Sequence, residues 1–191
     1  PGTYGFAGWP QKVRRGYLQS WNFTLQKQLP YGFTGEVGYV ASRETNKLGY
    51  FDINAGQVIG LGQAGRPLQQ RFGRTAPTTM VMPVGTGLYD SLQTKLERRF
   101  SQGLQLTAAY TWSKTIGFIN NTADQPAVRA YSFLHLNRAV RGFDRTHNLH
   151  INNVWELPFG RGKRWAPSGA AAAILGGWQV NNVLALISGT P

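Results

Sequence analysis

The chain has 191 residues, and its 20 Lys and Arg residues against 8 Asp and Glu residues give a formal net charge of +12. Charged residues make up only 15% of the chain, whereas glycine (24 residues) and aromatic residues (13%) are abundant. The absence of cysteine excludes disulfides and thiolate metal sites, and no apolar run approaches the ~18 residues that a transmembrane helix needs. This composition favours β-structure with polar loops over a helical protein.

The first predicted hairpin consists of residues 17–29 and 33–42, joined by the tight turn LPYG. In residues 17–29 the side chains of Trp21 and Phe23 alternate with those of Asn22 and Thr24. An alternation of this kind predicts a strand with one apolar face. The Gly-rich residues 43–87 that follow are predicted to form a first long loop.

A second predicted hairpin consists of residues 88–100 and 104–114, with the turn SQG between them. Its second strand, LQLTAAYTWSK, alternates strictly. Residues 115–146 are predicted to form a second long loop. Two further strands, residues 147–159 and 178–188, are joined by a connection rich in glycine and basic residues.

The lengths of the connections separate a membrane barrel from a soluble sandwich. They run short, long, short, long and medium, and membrane β-barrels alternate short periplasmic turns with long extracellular loops. The outward aromatic residues form an outer group of Tyr17, Tyr39, Tyr110 and Trp112, and an inner group of Phe33, Phe100, Trp155, Phe159 and Trp178. Two such belts are what two membrane interfaces select. We predict an all-β fold, an antiparallel up-and-down meander of about six strands that forms part of a transmembrane β-barrel in the bacterial outer membrane.

Four outward side chains fit a lipid environment poorly. Asn153 and Asn182 carry amides that are costly in hydrocarbon when unpaired. Lys27 and Arg98 also face outward, but they lie near the inner strand ends, where long side chains reach the headgroups.

Several phrases of the sequence resemble the barrel of TonB-dependent, Oar-like outer-membrane receptors. They include QSWNFTLQKQLP, LERRFSQGLQLTAAYTWSK and FDRTHNLHINNVWELPFGRGKRW, and the resemblance covers nearly all of the chain outside the two long loops. It implies a large barrel closed around an N-terminal plug, energised through TonB, that binds and takes up a ligand. Because about six strands are fewer than the eight of the smallest known barrels, residues 1–191 are interpreted as a partial barrel domain. The implied partners are outer-membrane lipid and lipopolysaccharide, the remaining strands and plug, and the TonB system; the ligand is not identified.

Other short motifs are weaker. GLGQAG (60–65) matches a dinucleotide-binding pattern but lacks the βαβ context that this function needs. Asp144, His147 and His150 are possible metal ligands, but residues three apart on a strand point to opposite faces. The strand carboxylates all fall on the lumen-facing side: Glu36, Glu97 and Glu156. Their position predicts a polar network in the lumen rather than a catalytic pair. We expect no enzyme, no cofactor and no metal site.

Arginines in the two long loops are the candidate ligand contacts. Guanidinium groups suit carboxylate or phosphate, and the candidates are Arg66, Arg71, Arg74, Arg129, Arg138 and Arg141. Solvated loops that face anionic lipopolysaccharide are the simpler interpretation of these arginines.

An alternative function is that of a soluble basic all-β protein that binds nucleic acid through stacking aromatics, although the basic residues are scattered rather than arranged in one stripe. A small self-assembling structural barrel is a further alternative.

Overall fold

A computed structural model of the chain describes residues 6–121 and 123–191, which form one mainly antiparallel sheet with two long connections. Its strands are β1 (Phe6–Gly8), β2 (Tyr17–Leu29), β3 (Phe33–Asp52), β4 (Thr78–Ser101), β5 (Leu104–Phe118), β6 (Ala139–Val140), β7 (His147–Glu156) and β8 (Gln179–Ile187). The helices are α1 (Pro67–Phe72) and α2 (Gly169–Leu175). The predicted meander is therefore confirmed, with β1 and β6 as short additions.

The long strands follow one another through the sheet in chain order. The path is β2-β3-β4-β5-β7-β8, while β1 pairs with β4 and β6 with β5. The sheet is open, since β2 and β8 pair with each other nowhere in the described residues. Every residue of these two edge strands is exposed. Their outer edges therefore present unpaired backbone N–H and C=O groups.

The strand register separates an apolar face from a polar face. Residues directly opposite one another share a face, and one row across the apolar face contains Leu25, Val37, Thr94, Tyr110, Leu149 and Leu186. The adjacent row on the polar face contains Gln26, Glu36, Lys95, Ala109, His150 and Ala185. Strands β2, β3, β4, β5 and β7 thus direct most of their apolar residues to the same side, as the alternation predicts. Strand β8 divides its apolar residues, since Leu184 and Leu186 share that side but Val183 and Ile187 lie on the polar face.

The two short turns lie together at one end of the sheet, which we call the short-turn end. In the β2–β3 turn Tyr31 and Gly32 have φ angles of 62° and 77°. In the two-residue β4–β5 turn Gln102 and Gly103 have φ angles of 51° and 78°. Two successive positive φ angles produce the tight turn whose twist matches that of a hairpin. The opposite end carries the long connections and is called the loop end.

Strand β2 has the predicted bounds, but β3 and β4 are much longer than residues 33–42 and 88–100. Residues 43–52 and 78–87, predicted as loop, are strand instead. The register shifts between Glu44 and Lys47, where Asn46 has a φ angle of 55°. A bulge of this kind displaces the following side chains by one position. It thereby removes the alternation that would have revealed the strand.

The remaining boundaries differ less from the prediction. Strand β5 continues past residue 114 to Phe118, which shortens the second long loop. Strand β7 ends at Glu156 rather than at residue 159, and Pro158, which has no backbone N–H to donate, follows it. Strand β8 starts and ends one residue inside the predicted range 178–188. The long connections are therefore residues 53–77 and 119–146, and the second contains β6.

The two long connections pack together over the extended β3–β4 hairpin, and we call residues 53–77, 119–121 and 123–138 the loop cap. The rings of Phe51 and Tyr131 lie 4.8 Å apart, and the Tyr131 backbone N–H donates to the Gln57 Oε1 at 3.0 Å. Ile119 is 4% exposed. A Cβ on Gly49 would lie 2.8 Å from the Ile119 side chain, so the glycine makes room for it. Three of the seven buried apolar residues of the described chain, Ala76, Ile119 and Ala130, lie in the loop cap.

Asn54 connects both ends of the first long connection. Its side-chain nitrogen donates to the backbone oxygens of Arg74 and Ala76 at 3.0 and 2.9 Å. Its Oδ1 accepts the backbone N–H of Leu68 at 2.9 Å, at the start of α1. Because Asn54 is fully buried, these bonds hold the connection in one conformation.

Helix α1 follows the GLGQAG motif, although the sequence predicts a flexible loop there. Its six residues begin at Pro67, a residue that suits the first helical position. The flanking strands β3 and β4 are antiparallel neighbours, so the motif lacks the parallel βαβ unit of a dinucleotide site. Neither α1 nor α2, nor any other described helix, has the length and apolarity needed to cross a membrane.

Candidate ligand-binding site

A cavity of about 490 Å³ opens on the polar face at the loop end, and we call it the loop-end cavity. It lies between β3, β4 and β5 and the segment that leads into β7. Its lining is rich in hydroxyl, amide and charged groups: Ser42, Glu44, Gly87, Leu88, Tyr89, Gln93, Thr111, Ser113, Thr115, Arg141, Phe143, Arg145 and Asn148. Such a volume is typical of small-molecule sites.

The sequence RGFDR (141–145) supplies one wall of the cavity. The Arg141 backbone N–H donates to the Thr115 oxygen at 2.9 Å, and the Asp144 carboxylate accepts the Thr115 N–H at 2.6 Å. Between these two contacts the segment forms a turn, in which the Asp144 backbone N–H donates to the Arg141 oxygen at 2.9 Å. Arg141, Phe143 and Arg145 line the cavity, while Asp144 is buried.

The guanidinium group of Arg141 is buried between the segment and the sheet. Its Nη2 donates to the Glu44 carboxylate at 2.6 Å and to the Thr86 oxygen at 3.1 Å. The side chain of Arg141 is 4% exposed, and that of Glu44 is 33% exposed. This ion pair joins the second long connection to β3 over a sequence separation of 97 residues.

Two glycines that face each other across β4 and β5 make room for this guanidinium group. Gly87 pairs with Gly117, and a Cβ on Gly117 would lie 2.9 Å from both Nε and Nη2 of Arg141. A Cβ on Gly87 would collide with Nη2 outright. The glycines therefore allow the guanidinium plane to lie directly on the sheet.

The donors of Arg141 are only partly used. Nη2 has two acceptors, but Nε is buried without one, and no described residue accepts from Nη1. Asn148 likewise has a buried Oδ1 without a donor. Buried polar atoms are normally paired, so these two atoms are exceptions to the rule next to the loop-end cavity.

Arg145 is the second cation of the cavity. It is exposed, and its Nη1 donates to the Asp144 backbone oxygen at 3.3 Å. Among the described residues no carboxylate forms an ion pair with it. Glu44, the one carboxylate in the lining, is bound to Arg141 and lies 3.5 Å from the Lys47 amine. The cavity consequently has a positive charge that the protein leaves uncompensated.

The predicted loop arginines have different environments. Arg66 donates to the Thr75 oxygen at 2.9 Å, Arg74 donates to the Thr78 hydroxyl at 2.8 Å, and Arg129 donates to the Pro126 oxygen at 3.3 Å. These three are half-buried and bind the loop cap together. Arg71 and Arg138 are exposed, and Arg141 alone of the six lines the loop-end cavity.

Phe143, Arg145 and Asn148 were not among the predicted site residues. RGFDR falls inside a segment that was predicted as loop, and the turn between Arg141 and Asp144 leaves no regular alternation that would have indicated its position. The histidines of the neighbouring segment do separate as expected. His147 contacts the Tyr110 hydroxyl at 2.8 Å on the apolar face, whereas His150 lies on the polar face, and no metal-binding cluster occurs among the described side chains.

The predicted membrane-interface aromatics can also be placed. Strand pairing puts Tyr17, Phe33, Tyr39, Tyr110, Trp112 and Trp155 on the apolar face. Phe100, Phe159 and Trp178 lie at or just beyond strand ends at the short-turn end. The two outward asparagines are direct cross-strand partners, since Asn153 pairs with Asn182. The side-chain amide of each asparagine therefore lies opposite a second amide on the neighbouring strand.

Comparison with known proteins identifies the family of the chain. The family model described as "Outer membrane beta barrel domain" matches residues 1–191. Comparison with curated proteins and with solved structures gives no match. The family agrees with the meander, the alternation of short and long connections and the single apolar face. The chain therefore belongs to the outer membrane beta-barrel domain family and is located in the bacterial outer membrane.

Proposed function

We propose that the chain is a segment of a TonB-dependent receptor barrel that binds a ligand at the outer surface and takes it up. The observation that carries this proposal is the loop-end cavity, a polar cavity of ligand size at the loop end of the sheet. Its lining includes Arg145, an exposed cation for which the described residues supply no ion-pair partner. The assignment to TonB-dependent, Oar-like receptors rests on the sequence resemblance.

In this proposal the two faces of the sheet have separate partners. The apolar face contacts the outer-membrane lipid, and the loop cap faces lipopolysaccharide. The polar face lines the lumen, where Lys95 and Glu97 form an ion pair at 2.6 Å. The role is binding and transport rather than catalysis.

The free edges of β2 and β8 support a larger barrel. An unpaired backbone group in hydrocarbon costs several kcal/mol, so each edge must pair with another strand in the membrane. Further strands of a receptor barrel, which also encloses a plug, supply them in this proposal. Additional copies of the chain would satisfy the same edges, and this keeps the self-assembling barrel as a second candidate. Native mass spectrometry of the detergent-extracted protein distinguishes the two, because the second candidate predicts several copies in one barrel.

Growth experiments test the receptor function. Three strains of the source bacterium are compared for the compounds they remove from a defined medium: wild type, a strain without this gene, and a strain without TonB. We expect at least one compound to remain in the medium of both mutant strains, and the gene supplied on a plasmid to restore its uptake. If the strain without the gene removes every compound at the wild-type rate, the receptor function is wrong. If the strain without the gene has an uptake defect that the strain without TonB lacks, the proposed energy coupling through TonB is wrong.

A further inference from the structure

The charges of the loop-end cavity select the charge of its ligand. Arg141 and Arg145 contribute two positive charges and Glu44 one negative charge. Glu44 neutralises Arg141 through their contact at 2.6 Å, so the charge of Arg145 remains. A ligand with a single negative charge would balance the site. A phosphate monoester, which carries nearly two charges at neutral pH, would leave an excess of negative charge.

The remaining polar groups of the cavity suit a ligand with many hydroxyl groups. Gln93, Thr111 and Thr115 present amide and hydroxyl side chains from adjacent strands, and Asn148 adds another amide. These groups both donate and accept hydrogen bonds, as sugar hydroxyls do.

Phe143 adds an apolar surface to this polar lining. The residue is 53% exposed, and the Arg141 guanidinium carbon lies 5.7 Å from the centre of its ring. An exposed aromatic ring beside cations and amides can cover the C–H face of a sugar ring. The cavity volume of about 490 Å³ accommodates one or two such rings.

The geometry points to an acidic sugar, of the uronic-acid class, as the ligand of the loop-end cavity. Its carboxylate binds Arg145, its hydroxyls bind the amide and hydroxyl groups of the strands, and its ring lies on Phe143. This inference rests on the proposed receptor function and specifies its ligand class. It assigns Arg145 as the residue that distinguishes acidic from neutral sugars.

Calorimetric titration of the purified full-length protein in detergent tests the inference. The probes are galacturonic acid, its neutral analogue galactose, and galactose 1-phosphate. We expect galacturonic acid to bind at least tenfold more tightly than either of the other two. The variant Arg145→Gln should weaken galacturonic acid binding at least tenfold, because it removes a charge-assisted hydrogen bond, and it should leave galactose binding unaffected. Arg138→Gln is the matched control, since Arg138 is exposed and does not line the cavity, and it should change binding by less than about twofold.

Each other outcome overturns the inference. Absence of binding by all three probes, equal binding of the neutral sugar, or preference for the phosphate would each exclude an acidic-sugar site. Equal losses in Arg145→Gln and Arg138→Gln would show a diffuse charge effect. The receptor function is tested separately by the growth experiments. A TonB-dependent uptake defect without binding of these probes refutes the ligand class alone, whereas binding without such a defect refutes the receptor function.

Discussion

Replacement of Arg141 by methionine tests whether this residue joins the second long connection to the sheet. The variant keeps an unbranched apolar stem in the space over Gly87 and Gly117, but it removes the donors to Glu44 and Thr86. We expect the connection to detach locally and the protein to lose stability. Arg138→Met is the control, because Arg138 is exposed.

The magnitude follows from the contacts that are lost. A hydrogen bond from a charged group contributes about 1.5–3 kcal/mol. The Glu44 side chain is 33% exposed, so solvent weakens its hydrogen bond with Arg141. We therefore take the lower limit of this range for each of the two bonds. The expected decrease in the free energy of unfolding is about 3 kcal/mol for Arg141→Met, against less than about 0.5 kcal/mol for the exposed control.

Guanidinium chloride unfolding in detergent, followed by tryptophan fluorescence, measures both variants. The midpoint should fall in Arg141→Met with an unchanged dependence on denaturant. Combination with Glu44→Gln completes a double-mutant cycle, in which we expect a coupling of about 1–2 kcal/mol. An Arg141→Met variant as stable as Arg138→Met, or a cycle without coupling, would refute the argument that this ion pair holds the connection.

Three further predictions concern other parts of the molecule. Gly117→Ala should destabilise the protein by about 2–3 kcal/mol through overpacking, because the added Cβ collides with the Thr86 oxygen. Gly142 has open space around it, so Gly142→Ala should unfold like the wild type in the same guanidinium chloride titration. Asn54→Ala should speed amide hydrogen exchange throughout residues 66–76, since it leaves buried backbone groups unpaired, and unchanged protection there would contradict the role of this side chain. Ile151→Arg should reduce the free energy of unfolding in lipid vesicles by about 2–4 kcal/mol, because it places a charge in the bilayer. Asn152→Arg should reduce it much less, since residue 152 lies on the opposite face. Equal effects of the two variants would be incompatible with one lipid-facing side.

The sequence allowed the membrane sheet to be predicted because its information there is local. Side chains alternate with a period of two, so the apolar face of β5 can be read without knowledge of its neighbours. The extensions of β3 and β4 could not be predicted in the same way. The bulge near Asn46 and the glycines at 85 and 87 break the alternation, and only pairing between distant segments shows that these residues are strand.

The candidate site depends even more on distant contacts. Arg141 was predicted as a ligand contact from its residue type alone, and the sequence gives no sign that it pairs with Glu44 or lies on Gly87 and Gly117. The partners lie on three strands and become neighbours only in the folded sheet. Asn153 and Asn182 illustrate the same limit, since each is unfavourable alone and they become direct partners through the β7–β8 register.

The most direct test of a sheet with one lipid-facing side is a single-cysteine scan of β7 in a lipid bilayer. The chain has no cysteine of its own, so each residue of His147–Glu156 can be replaced, labelled with a fluorophore and exposed to brominated lipids. We predict quenching with a period of two. The labels at positions 149, 151, 153 and 155 should be quenched, and those at 148, 150, 152 and 154 should respond to a water-soluble quencher instead. Uniform accessibility to the water-soluble quencher, or quenching without alternation, would contradict a strand that spans the outer membrane with one face toward lipid.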